Sequence, residues 1–403
     1  MKTILSIKGN NFYINDQLVY QDYPNTQYHG LLMNARFIQG IFDDGSGIER
    51  YQRYGKSFDP SRNTQELIAA LPSWYNYGLR AFTVGIQGGG PCFTLNNQSI
   101  DNQPYLDHGR RIDPDYLERL DGLICAADQL GMVVILSLFY PGQSNNRMMD
   151  GLHIENSLES ACTFIKDHAY TNIILEICNE YDLNTNHPIL GTSEGVASLI
   201  RRAKRLLPNV PVGCSLMGGN INKEVTEASD IVLIHGNGQS RGHYYNMIKQ
   251  VKEWAGDKPI LCNEDSQALG NMMVSMKEHV SWGYYNNMTK QEPPVYWGIT
   301  EGEDRFFAER MALELGIKSE TTLENQTYLQ GLEPHMTYED KRWIRLASLY
   351  PETIDYVEFY YDGDLYEIAY DQPFMVHFKD NWLQGPVIGL DPSKWTVQVI
   401  FKG

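Results

Sequence analysis

Apolar residues recur in short runs that close on glycine or a polar side chain: ARFIQGIFDD, LRAFTVGIQGG, GMVVILSLFYPG, NIILEICNE, VPVGCSLMGG, DIVLIHGNG, KPILCNED and PVYWGITEG. Most are apolar on both faces, the pattern of strands covered on both sides in a parallel sheet. Helical signatures lie between most of them. In the clearest, Asp113 is the N-cap, Pro114 takes the first helical position, and Leu117, Leu120, Ile124 and Ala127 follow at three-and-four spacing before Gly131. TSEGVASLIRRAKRLLP is another, while only NKEVTEASD is available between the fifth and sixth runs, room for barely two turns. Eight strand-helix repeats predict a sheet closed into a (β/α)8 barrel, also called a TIM barrel.

Both ends depart from this rhythm. Residues 3–20 alternate apolar and polar positions around Gly9, Asn10 and Asn11, which predicts a β-hairpin placed to plug the bottom of the barrel. Past about residue 315 the stretch MTYEDKRWIRLASLYP reads as helical, and IDYVEFYYDGDLYEIAYD then carries Asp-Gly between two β-rich runs ahead of the final WTVQVIFKG. The expected division is a barrel over residues 1–315 and a small β-sandwich, immunoglobulin-like or carbohydrate-binding-like, over 316–403.

A length of 403 residues suits this division, and 42% hydrophobic with 21% charged residues describes a soluble globular protein. The net charge of −17 argues against nucleic acid, anionic membrane surfaces and strongly anionic polymers as partners, and favours a neutral ligand. No run approaches the roughly 20 apolar residues of a membrane span, and MKTILSIKGNNFYIND lacks the apolar centre of a signal peptide. Six scattered cysteines with no CxxC pair read as reduced core residues, so a cytoplasmic location is expected.

Barrels of this kind place their chemistry at the C-terminal ends of strands. The dipeptide Asn-Glu occurs only twice, at Asn179-Glu180 and Asn263-Glu264, each time closing an apolar run, the fourth and the seventh. Two placed carboxylates are what hydrolysis of a glycosidic bond demands. One protonates the departing oxygen while the other acts as nucleophile or base across an oxocarbenium-like transition state. No HExxH and no His-x-His on the first run is present, so metal-dependent hydrolysis is not supported and no cofactor is expected. The Gly88-Gly89-Gly90 stretch lacks the spacing of a phosphate loop and reads as a turn.

An Asn-Glu pair ending the fourth strand and a glutamate ending the seventh resemble the clan A retaining glycoside hydrolases, over about residues 1–310. The resemblance implies that Glu180 is the acid/base, that Glu264 is the nucleophile, and that Asn179 bonds the sugar 2-hydroxyl. It also implies that His235 and Asn237, after the sixth run, lie near the nucleophile, and that Trp297 on the eighth stacks on a pyranose ring. The tyrosine that cellulase-like relatives carry two residues after this histidine is replaced here by Asn237. Asp43 and Asp44 end the first run, Gln87 the second, and Tyr140 follows the third, all candidates for binding hydroxyls or lining the cleft. The expected reaction is retaining hydrolysis of an O-glycosidic, β-linked bond in a neutral carbohydrate. A transglycosylase or a non-catalytic sugar-binding descendant would use the same pocket.

Overall fold

The computed structural model describes the chain except residues 90–98, 149, 185–186, 267–268, 338–339 and 380–384, and except the side chains of Asn146 and His335. Gly90, and with it the end of the glycine turn, and Cys92 lie outside the described residues.

Eight parallel strands form the central sheet: β1 (Asn34–Arg36), β2 (Ala81–Gly85), β3 (Val133–Phe139), β4 (Ile173–Cys178), β5 (Val212–Gly213), β6 (Val232–His235), β7 (Ile260–Ser266) and β8 (Gly283–Tyr285). They are hydrogen-bonded in the order β5-β4-β3-β2-β1-β8-β7-β6. The ring is thus continuous except between β5 and β6. There the backbone supplies a bond from Asp230 N–H to Val212 O at 2.8 Å and one from Gly219 N–H to His235 O at 3.1 Å. Gly213 is required at this junction, because a Cβ there would come within 2.4 Å of the Ile231 carbonyl oxygen.

The helices that follow the strands include α1 (Pro60–Asn76), α2 (Pro114–Leu130), α3 (Gly151–Asp167), α4 (Ser193–Leu206), α5 (Lys223–Ala228), α6 (Arg241–Ala255), α7 (Leu269–Lys277) and α8 (Glu303–Leu315). In α2 the Asp113 side chain accepts from Asp115 N–H, and Gly131 closes the helix in the left-handed conformation at φ 79°, as its spacing predicts. The short helix between β5 and β6 is α5, with Asn222 as its N-cap.

The N-terminal hairpin, Leu5–Lys8 against Asn11–Ile14, buries Leu5 and Phe12 in the main core. It is tied to the N-terminal side of the barrel by Leu5 N–H to Thr171 O at 2.9 Å, just ahead of β4. Tyr20 Oη donates to Gly78 O at 2.7 Å, just ahead of β2.

Two sequence expectations are corrected. The eighth strand is Gly283–Tyr285 and not the run containing Trp297. Pro293 and Pro294 deprive that run of backbone donors, which a strand paired on both sides needs, whereas the three buried residues of β8 can pair with both β7 and β1. The stretch read as helical around residues 337–351 instead holds strands, Lys341–Arg342 and Arg345–Ser348. Its apolar residues do not fall on one helical stripe: Trp343, Ile344, Leu346, Ala347 and Leu349 are all buried, and pairing with neighbouring strands overrides the local preference.

The C-terminal portion is all-β, with β9 (Thr327–Gln330), β10 (Lys341–Arg342), β11 (Arg345–Ser348), β12 (Ile354–Tyr361), β13 (Asp364–Ala369), β14 (Val387–Ile388) and β15 (Trp395–Phe401). They form antiparallel sheets β9-β11, β10-β14 and β13-β12-β15 around Ile344, Leu346, Val357, Phe359 and Trp395. Ala347 and Leu349 reach into the barrel's own core cluster. The buried ion pair between Arg345 and Glu303, at the start of α8, fastens the two portions together.

Candidate active site

The two Asn-Glu motifs meet at the C-terminal mouth of the barrel. Glu180 follows β4 in the left-handed backbone region, φ 45° and ψ 60°, a costly conformation for a residue with a Cβ and one that concentrates at functional sites. Glu264 lies within β7. The side chains of Glu180 and Glu264 are only 13% and 8% exposed, which leaves each carboxyl largely dry. One carboxyl oxygen from each glutamate and a ring nitrogen of His235 lie within 4.8 Å of one another.

His235, fully buried at the end of β6, joins the pair. Its Nδ1 is 3.0 Å from Glu180 Oε1 and 3.7 Å from Glu264 Oε2. Asn237 Nδ2 donates to Glu264 Oε1 at 2.6 Å, and its own Oδ1 accepts from the N–H and the hydroxyl of Ser266, both at 2.7 Å. This fixes which end of the amide faces the carboxylate. The Asn237 amide therefore holds Glu264.

Arg36, at the end of β1, escaped the sequence reading. Its Nε stands 2.7 Å from Glu264 Oε2, and its Nη2 donates to Asn179 Oδ1 at 2.7 Å. It therefore aligns one residue of each motif. A single arginine in an apolar run was the available signal, since a buried cation requires a buried anion. Two further residues went unnoticed: Glu176, below the pair on β4, accepts from Asn263 Nδ2 at 3.0 Å. Tyr285, which ends β8, places its ring 5.5 Å from the Arg36 guanidinium.

The charges set the proton affinities. Burial first, and the negative charge of Glu264 second, raise the pKa of Glu180 above the usual glutamate value, against the opposing pull of His235 and Arg36. Burial alone would lower that of His235, yet Glu264 and Glu180 more than compensate and raise it. Burial likewise opposes the charge on Arg36, and Glu264 and Glu176 again outweigh it. Asp265, whose side chain turns away to Trp282 and Asn271, is pushed up by burial to about 7. With Glu264→Gln the repulsion is gone, so the pKa of Glu180 is expected to fall. Titration of the Glu180 carboxyl by 13C NMR reads this directly, and an unchanged or higher value would refute the coupling.

The remaining predicted residues are placed otherwise. Asp44 is consumed by Tyr51 Oη at 2.7 Å, by Arg50 and by the N–H groups of Ser46 and Asp101. Asp43 pairs with Arg119 on α2 at 3.2 Å. Gln87 is fully buried and accepts from Tyr140 N–H and Ser144 Oγ while donating to Gln103, which braces the loops after β2 and β3. Tyr140 lies close enough to Arg36 to influence its charge. Trp297 is 2% exposed, donates to Asn63 Oδ1 at 3.1 Å and meets Phe37 edge-on at 5.5 Å, so it offers no face to a sugar. Off the strand, it packs between the end of β1 and α1. Glu180, His235 and Glu264 also constitute a triad able to ligate a cation, although Arg36 already supplies positive charge to the same Glu264 oxygen.

No protein-family model matches the chain, and no curated protein matches it in sequence. Solved structures do. A structure described as a glycoside hydrolase has a TM-score of 0.52 at 12% identity, over 100% of this chain and 97% of that one. A candidate glycoside hydrolase from Bacteroides vulgatus ATCC 8482 gives 0.52 at 11% identity, over 100% of this chain and 83% of that one. The likeness establishes the fold. It spans both the barrel and the all-β portion. Among the described residues no helix is long and apolar enough to cross a membrane, and Cys125, Cys162, Cys178, Cys214 and Cys262 are free thiols.

Proposed function

We propose that this protein is a retaining glycoside hydrolase acting on β-linked neutral carbohydrate, with Glu264 as nucleophile and Glu180 as acid/base. The observation that carries the reading is the close approach of the pair: one carboxyl oxygen of each lies within 4.8 Å of the other, which fits the ~5 Å carboxyl spacing of direct attack better than the ~6.5–9.5 Å that admits a water for inversion. The likeness to structures described as glycoside hydrolases supports it further.

In the first step a Glu264 oxygen bonds the anomeric carbon as the glycosidic C–O bond breaks, and the departing oxygen takes the proton of Glu180. The negative charge of Glu264 vanishes in the resulting ester. One of the influences that raised the pKa of Glu180 vanishes with it, so the residue that gave a proton is ready to accept one. Water then attacks the anomeric carbon and passes a proton to Glu180 while the ester bond breaks. Arg36 and Asn237 hold Glu264 with its oxygens aimed, and Asn179, itself positioned by Arg36, is available to the sugar 2-hydroxyl. His235 keeps the acid/base in register with the nucleophile.

Proton NMR of fresh hydrolysate distinguishes the outcomes, with aryl β-glycosides of neutral sugars as substrates. The first product formed should have the β configuration of the substrate. An α product would remove the nucleophile role from Glu264.

A further inference from the structure

A cavity of about 220 Å3 lies between the barrel mouth and the all-β portion. One wall is Gly238–Arg241 and Ser266, past the end of β6 and at the end of β7; the other includes Asp355 and the segment 370–374. Gln372 Oε1 accepts from Gly270 N–H at 3.2 Å, which pins that second wall to the first turn of α7.

The cavity is linked to the glutamate pair through Ser266 on its wall. Ser266 lies two residues beyond Glu264 on the same strand, so the two side chains share a face roughly 7 Å apart. Ser266 also bonds Asn237, which bonds Glu264. Its size is below the roughly 300–1,000 Å3 of pockets for drug-sized ligands and accommodates a single small ring. Arg241 and Lys402 on its lining are balanced by Asp355 and Asp371, and Arg345 is already paired with Glu303. That leaves donors, acceptors and no net field to select an anion. Tyr370, 65% exposed, adds an aromatic surface. Hydroxyl-bonding groups of both kinds beside an uncovered ring suit a neutral pyranose, whose C–H face is apolar and whose edge is polar.

We propose that this cavity binds one further neutral sugar unit of the glycan cut by the glutamate pair, so that the all-β portion forms part of the substrate site. This rests on the glycosidase reading given above.

The test is calorimetric titration of the full-length Glu264→Gln protein with cellohexaose, mannohexaose and xylohexaose. At least one should bind, and adding Tyr370→Ala should weaken it about tenfold. Arg241→Ala should weaken it several-fold, and Ile388→Ser, which alters an exposed residue away from the cavity, should leave it unchanged. The proposal is overturned if none of the three hexasaccharides binds, or if both cavity variants bind as tightly as their parent. Preference for an oligogalacturonate over all three would overturn the neutral class. If Glu264→Gln abolishes hydrolysis while Tyr370→Ala leaves affinity intact, the glycosidase reading stands and the cavity falls. If Tyr370→Ala loses affinity while Glu264→Gln still hydrolyses, the cavity stands and the catalytic role of Glu264 falls.

Discussion

Glu264→Ala should reduce kcat by roughly 10^4- to 10^6-fold on any glycoside the wild type hydrolyses, the scale of loss seen when an enzyme nucleophile is removed. Azide should restore part of the rate. Truncation opens a small space beneath the anomeric carbon, where an anion can attack in place of the carboxylate, and the glycosyl azide formed should have the inverted configuration. Glu180→Gln should cost less, about 10^2- to 10^4-fold, and least with leaving groups acidic enough to depart unprotonated. Single-turnover rates with nitrophenyl and alkyl glycosides separate the two variants. A Glu264→Ala protein with near-wild-type turnover would end the assignment.

Arg36→Met should destabilise the protein by about 3–5 kcal/mol, because it strands the Glu264 carboxylate in a buried site with its cation gone. Urea denaturation gives the value. The informative experiment is the double variant with Glu264→Gln: if the loss comes from an uncompensated charge, neutralising the glutamate should recover much of it. A simple sum of the two single effects would show that Arg36 acts chiefly through its packing. Activity should fall with the single variant as well, since Arg36 also orients Asn179.

What the sequence reveals of this site follows from what strand periodicity can convey. The end of an apolar run locates the barrel mouth, and Glu180, Asn179, His235, Asn237 and Glu264 lie together there because each ends, or directly follows, such a run. Periodicity does not say which way a side chain turns after the last paired residue. Asp43 and Asp44 also follow a run end, yet they turn to Arg119, Tyr51 and Arg50 and brace loops. Trp297 fails for a different reason. Two prolines removed its segment from the sheet, and the true β8 is three residues long, too short for an alternation to register. Arg36 was hidden by its surroundings, since one charged residue in an apolar run carries no mark of the distant anion that neutralises it. The all-β character of the C-terminal portion was legible from its Asp-Gly turn. The strands ahead of that turn were not, because their pairing partners are distant in sequence.

The missing ladder between β5 and β6 bears on how the mouth can move. A ring with one weak clasp widens first at that clasp, as hydrogen bonds elsewhere resist shear in rows whereas two isolated ones yield singly. Glu180 and His235 stand on opposite sides of it, after β4 and at the end of β6. Their 3.0 Å contact is a strut laid across the gap, so the side chain proposed as acid/base also limits how far the mouth can breathe.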